Sequence, residues 1–171
     1  MNFDDIEVKI NKPYPEIVGA REDKQTVGIL KNLLSYRCGE LGAILQYNYQ
    51  SVLSFDSMEE ISDILEEISI VEMEHMELLM HAIVDFGGLP KFENSQGNMF
   101  SAGQVDYSVK LKDMLDANIN DETCAIHNYE DAIMKVKNES LKNLFKRIIE
   151  DEERHLEIFK KIRDNVKFLS L

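Results

Sequence analysis

Only two of the 171 residues are cysteines, Cys38 and Cys124, and no Cys-x-x-Cys pair occurs. That excludes a rubredoxin-type iron centre or a zinc ribbon within the chain. Each cysteine lies two residues from a candidate ligand described below, about 200° round a helix, so both are expected to face away as small buried or half-buried fillers. No apolar run approaches a membrane span, and residues 1–10 lack the basic start and apolar segment of a signal peptide. A cytoplasmic protein with no membrane partner is the expectation. Positive charge is scarce as well: 19 Lys and Arg stand against 32 Asp and Glu, a net charge of −13. That balance argues against nucleic acid and suits solvated helix faces or a surface that attracts cations. Strand patterning is missing throughout.

What remains is helical. A chain of this length buries one full core without staples, so a single domain is expected. Residues 1–25 hold Pro13 and Pro15 and no sustained period. They read as an N-terminal arm, lying on the bundle or on a neighbouring subunit, or else as a partly ordered tail. Residues 26–171 read as a four-helix bundle. The first helix runs from about Thr26 through Ile29, Leu33, Tyr36, Glu40, Ile44, Tyr47 and Ser51 on one face. Ser54 to Ser57 break it, and Ser57-Met58-Glu59-Glu60 reads as a capping box opening the second helix. That helix ends at Gly87-Gly88-Leu89-Pro90. Residues 87–104 carry four glycines and read as a crossover along the bundle, since eighteen extended residues reach roughly 60 Å. The third helix carries Leu111, Leu115, Asn118, Glu122 and Tyr129. The fourth, after a turn at 137–140, carries Leu141, Ile148, Glu152, His155, Phe159 and Val166.

Two Glu-x-x-His pairs, Glu72/His75 and Glu152/His155, repeat in the second and fourth helices. Each follows a lone glutamate with a tyrosine seven residues after it: Glu40 and Tyr47, Glu122 and Tyr129. The spacing from lone Glu to His is 35 in one half (40 to 75) and 33 in the other (122 to 155). Glu and His at i, i+3 project from one helix face, offering one metal a carboxylate oxygen and an imidazole nitrogen. The lone glutamates can chelate one metal or bridge two. Four glutamates and two histidines in this order make the ligand set of a carboxylate-bridged two-metal site in a four-helix bundle. Four carboxylates offset the charge of two divalent ions, which lets so polar a set sit in a core. Mixed oxygen and nitrogen ligation suits iron or manganese. Each turn falls midway between the ligands it separates, near residues 57 and 138, which places the site about 24 Å from either turn.

Around this set, Tyr47 and Tyr129 read as hydrogen-bond donors behind the ligands, as radical traps, or as plain core packing. Asp151 is placed to orient a ligand histidine, whereas the equivalent residue of the second helix is Val71, so that support is asymmetric. His81 and His127 fall off the stripes and read as surface residues. Met73 points about 100° away from the metals, with Met76 and Met80 along the same side.

The pattern resembles the ferritin-like superfamily, and within it most resembles bacterioferritin. The resemblance rests on Leu33-Leu34, Glu40, Ala43-Ile44 and Gln46-Tyr47. It continues through Glu72-Met73, His75, Gly88-Leu89-Pro90 and Asp113-Met114-Leu115, and ends with Glu122, Asp131-Ala132-Ile133, Asp151-Glu152-Glu153 and His155. It implies Glu40, Glu72, His75, Glu122, Glu152 and His155 as metal ligands and catalytic residues, with Asp151 behind them. Tyr14-Pro15-Glu16 and the stretches around Gly39-Glu40-Leu41 and Tyr49-Gln50-Ser51 are more similar to manganese catalases. Rubrerythrins carry a further glutamate where this chain has Ala125. The chain stops at Leu171, short of the last helix of ferritin cages, so a homodimer through the outer faces of the first two helices is expected ahead of a cage.

The resemblance implies a di-iron oxidoreductase that binds two metal ions per chain and reacts with O2 or H2O2, taking Fe(II) or an external donor as reductant. Its alternatives are a manganese catalase and an iron-storage oligomer. It also implies haem at Met73 between two subunits, although an ordinary dimer contact is the preferred reading of that methionine.

Overall fold

The computed structural model describes residues 6–169, with side chains to residue 165. Residues 1–5 of the expected arm and the side chain of Val166 fall outside the described part. Among the described residues five α-helices follow one another: α1 Lys24–Ser35, α2 Glu40–Ser54, α3 Glu59–Asp85, α4 Leu111–Lys135 and α5 Glu139–Leu169. Among the described residues there is no strand, only an isolated antiparallel bridge between Glu93 and Met99. The architecture is an all-α, ferritin-like bundle. α1 and α2 together form its first strut along α3, and α4 and α5 form the other hairpin.

The first strut departs from the continuous helix that its apolar period predicts. α1 ends at Ser35, Tyr36 is already extended, and α2 restarts at Glu40 behind Gly39 as N-cap. Two residues force the break. Cys38 takes a left-handed backbone with φ of 57°, a conformation that non-glycine residues seldom adopt. A Cβ on Gly39 would lie 2.5 Å from the Leu33 carbonyl oxygen. Glu40 therefore opens a helix, where the positive end of the helix dipole favours a carboxylate, instead of sitting in mid-helix.

The cysteines depart from expectation for the same reason. A rotation of 200° holds only inside a continuous helix, and Cys38 is outside one. Cys38 and Cys124 do not face away as separate fillers; they are bonded to each other, with Cα atoms 5.9 Å apart. The capping box at Ser57 does not form either. The N-cap of α3 is Met58, without a side-chain bond, because the Ser57 and Met58 amides turn back to the Ser54 carbonyl. The end of α3 follows its sequence signal. The Gly87 amide donates to Val84 O at 2.9 Å and the Gly88 amide to Ile83 O at 2.8 Å, with Gly87 at φ 82°. That is the Schellman arrangement, which glycine permits at little cost. At the α4–α5 turn the Asn138 side chain accepts from the Leu141 amide at 2.9 Å.

Two apolar clusters fill the bundle. One joins Leu30 and Leu34 of α1 to Leu79 and Ile83 of α3, Tyr129 of α4 and Phe145 of α5. The other joins Tyr47 of α2 to Leu65 and Ile68 of α3, Leu115 of α4 and Phe159 of α5. Each fully buried Leu or Ile contributes about 1.5–3 kcal/mol, so these two cores hold the helices on either side of a polar layer. Residues 6–23 run extended over the bundle. Val8 joins the second core, Arg147 holds the Ile10 and Lys12 carbonyls, and Arg154 holds that of Glu7.

Candidate metal centre

Between the two cores lie Glu40 from α2, Glu72 and His75 from α3, Glu122 from α4, and Glu152 and His155 from α5, none more than 3% exposed. They form two overlapping groups: Glu40, Glu72, His75 and Glu152, then Glu72, Glu122, Glu152 and His155, with facing atoms within 4.8 Å of one another in each. Glu72 and Glu152 belong to both groups. Sharing therefore falls to the glutamates of the Glu-x-x-His pairs, and each lone glutamate serves one group.

Both histidines turn Nδ1 inward. His75 Nδ1 is 3.1 Å from Glu72 Oε2 and 3.2 Å from Glu152 Oε1. His155 Nδ1 is 2.9 Å from Glu72 Oε1 and 3.6 Å from Glu152 Oε2. Several of these close approaches lack hydrogen-bond alignment. His155 Nδ1, Glu72 Oε1 and Glu152 Oε1 are buried with no hydrogen-bond partner. Buried polar atoms left in this way are costly unless something pairs with them. Converging, unpaired oxygen and nitrogen lone pairs fit divalent cations of the iron–manganese kind.

The protons are shared unequally among these groups. Burial, then the neighbouring Glu152 and Glu72 charges, push Glu40 well above the usual carboxylate range, and the same causes raise Glu122. Burial also opposes the charge on Glu72, but His155 and His75 hold it below that range. Burial works against the charge of His155 too, yet Glu72 and Glu152 lift it to about 9.

Each tyrosine reaches across the bundle to the opposite lone glutamate. Tyr47 of α2 donates to Glu122 Oε1, and Tyr129 of α4 donates to Glu40 Oε1. Behind the histidines this symmetry stops. Asp151 Oδ2 lies 3.2 Å from His75 Nε2, the nitrogen turned away from the cluster. Asp151 is itself held by the Ile10 amide at 2.8 Å, the Tyr14 hydroxyl at 2.7 Å and Arg147 Nη1 at 2.8 Å. The Tyr14 ring stands edge-on to His75, with centroids 5.8 Å apart. His155 Nε2 has no partner, and the residue equivalent to Asp151, Val71, offers no acceptor. Met73 stands 40% exposed on α3, while Met76 and Met80 are half-buried against the first core. His81 and His127 are exposed.

A cavity of about 390 Å³ reaches the cluster between α2 and α4. Exposed Tyr36 and Arg37 lie at one end, and buried Glu40, Glu72, Glu122 and Glu152 at the other. Phe100 and Gln104 of the crossover, and Ala125, also line it. Spacing gives no sign of the Tyr14 and Arg147 contacts, although Arg147 stands at i−4 from Asp151. Buried Gln50 and Asn118 are a further pair outside the ligand pattern, bonded to each other at 2.7 and 2.9 Å.

A bundle of this topology with this carboxylate–histidine layer is a ferritin-like protein. The chain belongs to the rubrerythrin family, which it matches over residues 31–163. It is 28% identical to a bacterioferritin of Desulfovibrio desulfuricans over 158 residues, 90% of this chain and 83% of that one. Superposition on a crystal structure of a D. desulfuricans bacterioferritin, described with a di-iron site, gives a TM-score of 0.70 over 85% of this chain and 81% of that one. A manganese catalase from Anabaena PCC7120 superposes with a TM-score of 0.84 at 25% identity, covering 92% of this chain and 79% of that chain. No helix among the described residues is long and apolar enough to cross a membrane.

Proposed function

We propose that this chain is a di-iron oxidoreductase that consumes O2 or H2O2, with Glu40, Glu72, His75, Glu122, Glu152 and His155 as its metal ligands. The observation that carries this reading is the pair of glutamates, Glu72 and Glu152, common to both ligand groups. Carboxylates common to both groups would hold two ions in one cluster, where they could act together on one O–O bond. Two iron ions so held would supply two electrons to that bond. The chain's own residues do the rest. Glu40 with His75 and Glu122 with His155 complete the two groups. Tyr129 and Tyr47 fix the lone carboxylates by hydrogen bonds, and Asp151 sets which nitrogen of His75 faces inward. The cavity beside Ala125 admits a small oxidant to the cluster.

Anaerobic loading with Fe(II) followed by peroxide should give a rapid ferric absorbance change at about two irons per chain. An unchanged rate in the Glu72→Ala/Glu152→Ala double variant would sink this reading. A second reading, manganese-dependent peroxide disproportionation, draws on the likeness to the Anabaena catalase over nearly the whole chain. Metal analysis of protein purified without added metal, combined with O2 evolution, separates the two. Light scattering tests iron storage, which needs a cage where a homodimer is proposed here.

A further inference from the structure

The cavity that leads to the carboxylates has a sulfur in its wall. Cys38 lines it two residues ahead of Glu40, and its partner Cys124 stands two residues beyond Glu122. The bridge therefore spans from the start of α2 to α4, joining the segments that carry the two lone glutamates. Both cysteines are half-buried, so solvent reaches them. Where this pairing forms, Cys38 takes its left-handed conformation and Gly39 has no room for a side chain. The connector also has a second attachment. Asn128 Nδ2 donates to Arg37 O at 3.2 Å and lies 3.7 Å from Cys124 Sγ, so opening the bridge leaves residues 36–39 anchored to α4. These two are the only cysteines in the sequence, and neither belongs to a Cys-x-x-Cys pair.

We propose that Cys38 and Cys124 are a redox-active dithiol–disulfide pair that supplies the two electrons for peroxide reduction in this cavity, making the chain a dithiol-dependent peroxidase. This rests on the reading that peroxide is consumed at the carboxylate cluster. Atoms and electrons balance without a further donor. Two thiols lose two electrons and two protons as the S–S bond forms, restoring the two electrons that the two irons would give up to peroxide. The O–O bond of one H2O2 breaks, and the two protons complete two waters. The disulfide is then reopened by thiol–disulfide exchange with a soluble dithiol protein of the thioredoxin kind, which leaves as its own disulfide. The half-buried position of the pair suits such exchange, because an attacking thiolate needs access to one sulfur.

The test uses the full chain, reduced with a phosphine, desalted without air and loaded with Fe(II). One equivalent of H2O2 is then added while peroxide, free thiols and intact mass are followed. The expected result is two thiols lost per peroxide consumed, with the mass falling by two hydrogens. Thiol loss should be slower by roughly tenfold or more in the metal-free chain. Peroxide consumption with both thiols left intact overturns this proposal and leaves the oxidoreductase reading standing. No peroxide consumption overturns both. Equal thiol loss with and without metal also overturns it, since the cysteines are then not served by the cluster. In steady state with thioredoxin, its reductase and NADPH, Cys38→Ser and Cys124→Ser should each lower peroxide turnover roughly tenfold or more while retaining bound metal. Unchanged turnover in both variants would likewise defeat the proposal.

Discussion

The two halves of the cluster match in glutamate and histidine and differ in what stands behind the histidine. On one side His75 Nε2 meets Asp151, which three further groups hold: the Ile10 amide, Tyr14 and Arg147. On the other, His155 Nε2 has no partner and Val71 replaces the aspartate. A hydrogen-bonded imidazole has its tautomer and ring orientation fixed before any ion arrives. The Glu40–His75 half is thus prepared in advance, whereas nothing among the described residues fixes the His155 ring from behind. A duplicated set of glutamates and histidines therefore need not offer two equivalent positions to a metal. The tighter position should be the one roofed by residues 6–23.

The largest expected effect separates a glutamate common to both groups from a residue that belongs to one. Glu72→Ala takes an oxygen from both groups, so metal content should fall from about two ions per chain to near none. His75→Ala removes a ligand from one group and should leave about one ion, held by Glu122 and His155. Metal analysis after gel filtration distinguishes them. Retention of both ions in Glu72→Ala would show that the glutamate is not shared.

Removing metal from the intact chain comes next in size. Ions at a thousandfold excess over Kd stabilise by about 4 kcal/mol per site, roughly 8–16 °C in Tm for a chain of this length. The sign with pH follows from the raised groups. Glu40 and Glu122 hold their protons in the folded, chelated chain above 4.5, the ordinary carboxylate value, so folding loses ground as pH rises past that value. His155 works in the same direction. Its contribution is full below 6.5 and is lost as pH rises through about 9. Metal replaces protons at these groups, so its affinity rises with pH. The gap in Tm between loaded and chelated protein should therefore widen from pH 5 to pH 9, as calorimetry would read. A gap that narrows would contradict the proton sharing described for the cluster.

Much of this layer was legible in the residues alone. A glutamate in an apolar helical stripe is costly unless paired, and four such glutamates with two Glu-x-x-His pairs leave few arrangements. The sequence period fails where the chain leaves the helix. Nothing in the spacing of Tyr36 to Glu40 marks the break, since a left-handed Cys38 and a sterically required Gly39 are tertiary facts. The cysteine pairing was hidden for the same reason. The Tyr47–Glu122 and Tyr129–Glu40 crossings were within reach from helix faces, but which glutamate each tyrosine meets depends on how the hairpins interlock. The contacts made by Tyr14 and Arg147 are longer-range still, joining a segment without periodicity to α5 more than 130 residues away.

Asp151→Asn makes the prepared half resemble the other. The amide keeps the shape of the carboxylate but not its charge, and loss of such a partner typically weakens metal affinity about 10–100-fold. Only one of the two ions should respond, so a titration that is biphasic in the parent should come closer to a single phase. Arg147 keeps the Ile10 and Lys12 carbonyls, which limits the harm to folding. Equal weakening of both ions would show that Asp151 acts on the cluster as a whole and not through His75.

Tyr14→Phe makes the smallest change. Burial pushes the Tyr14 hydroxyl above its usual range, so it stays a proton donor to Asp151 through the working pH. Phenylalanine keeps the ring edge against His75 and loses only the 2.7 Å hydrogen bond. A bond to a charged group contributes about 1.5–3 kcal/mol. Asp151 still holds the Ile10 amide and Arg147, so the expected loss lies near the lower figure. Metal affinity should fall a few-fold, again for one ion only. Combining Tyr14→Phe with Asp151→Asn provides the control, because two groups acting through one hydrogen bond give less than additive losses. Additive losses would mean that Tyr14 supports His75 through its ring alone, and the prepared half would then owe less to the hydroxyl of residue 14 than to Asp151 and Arg147.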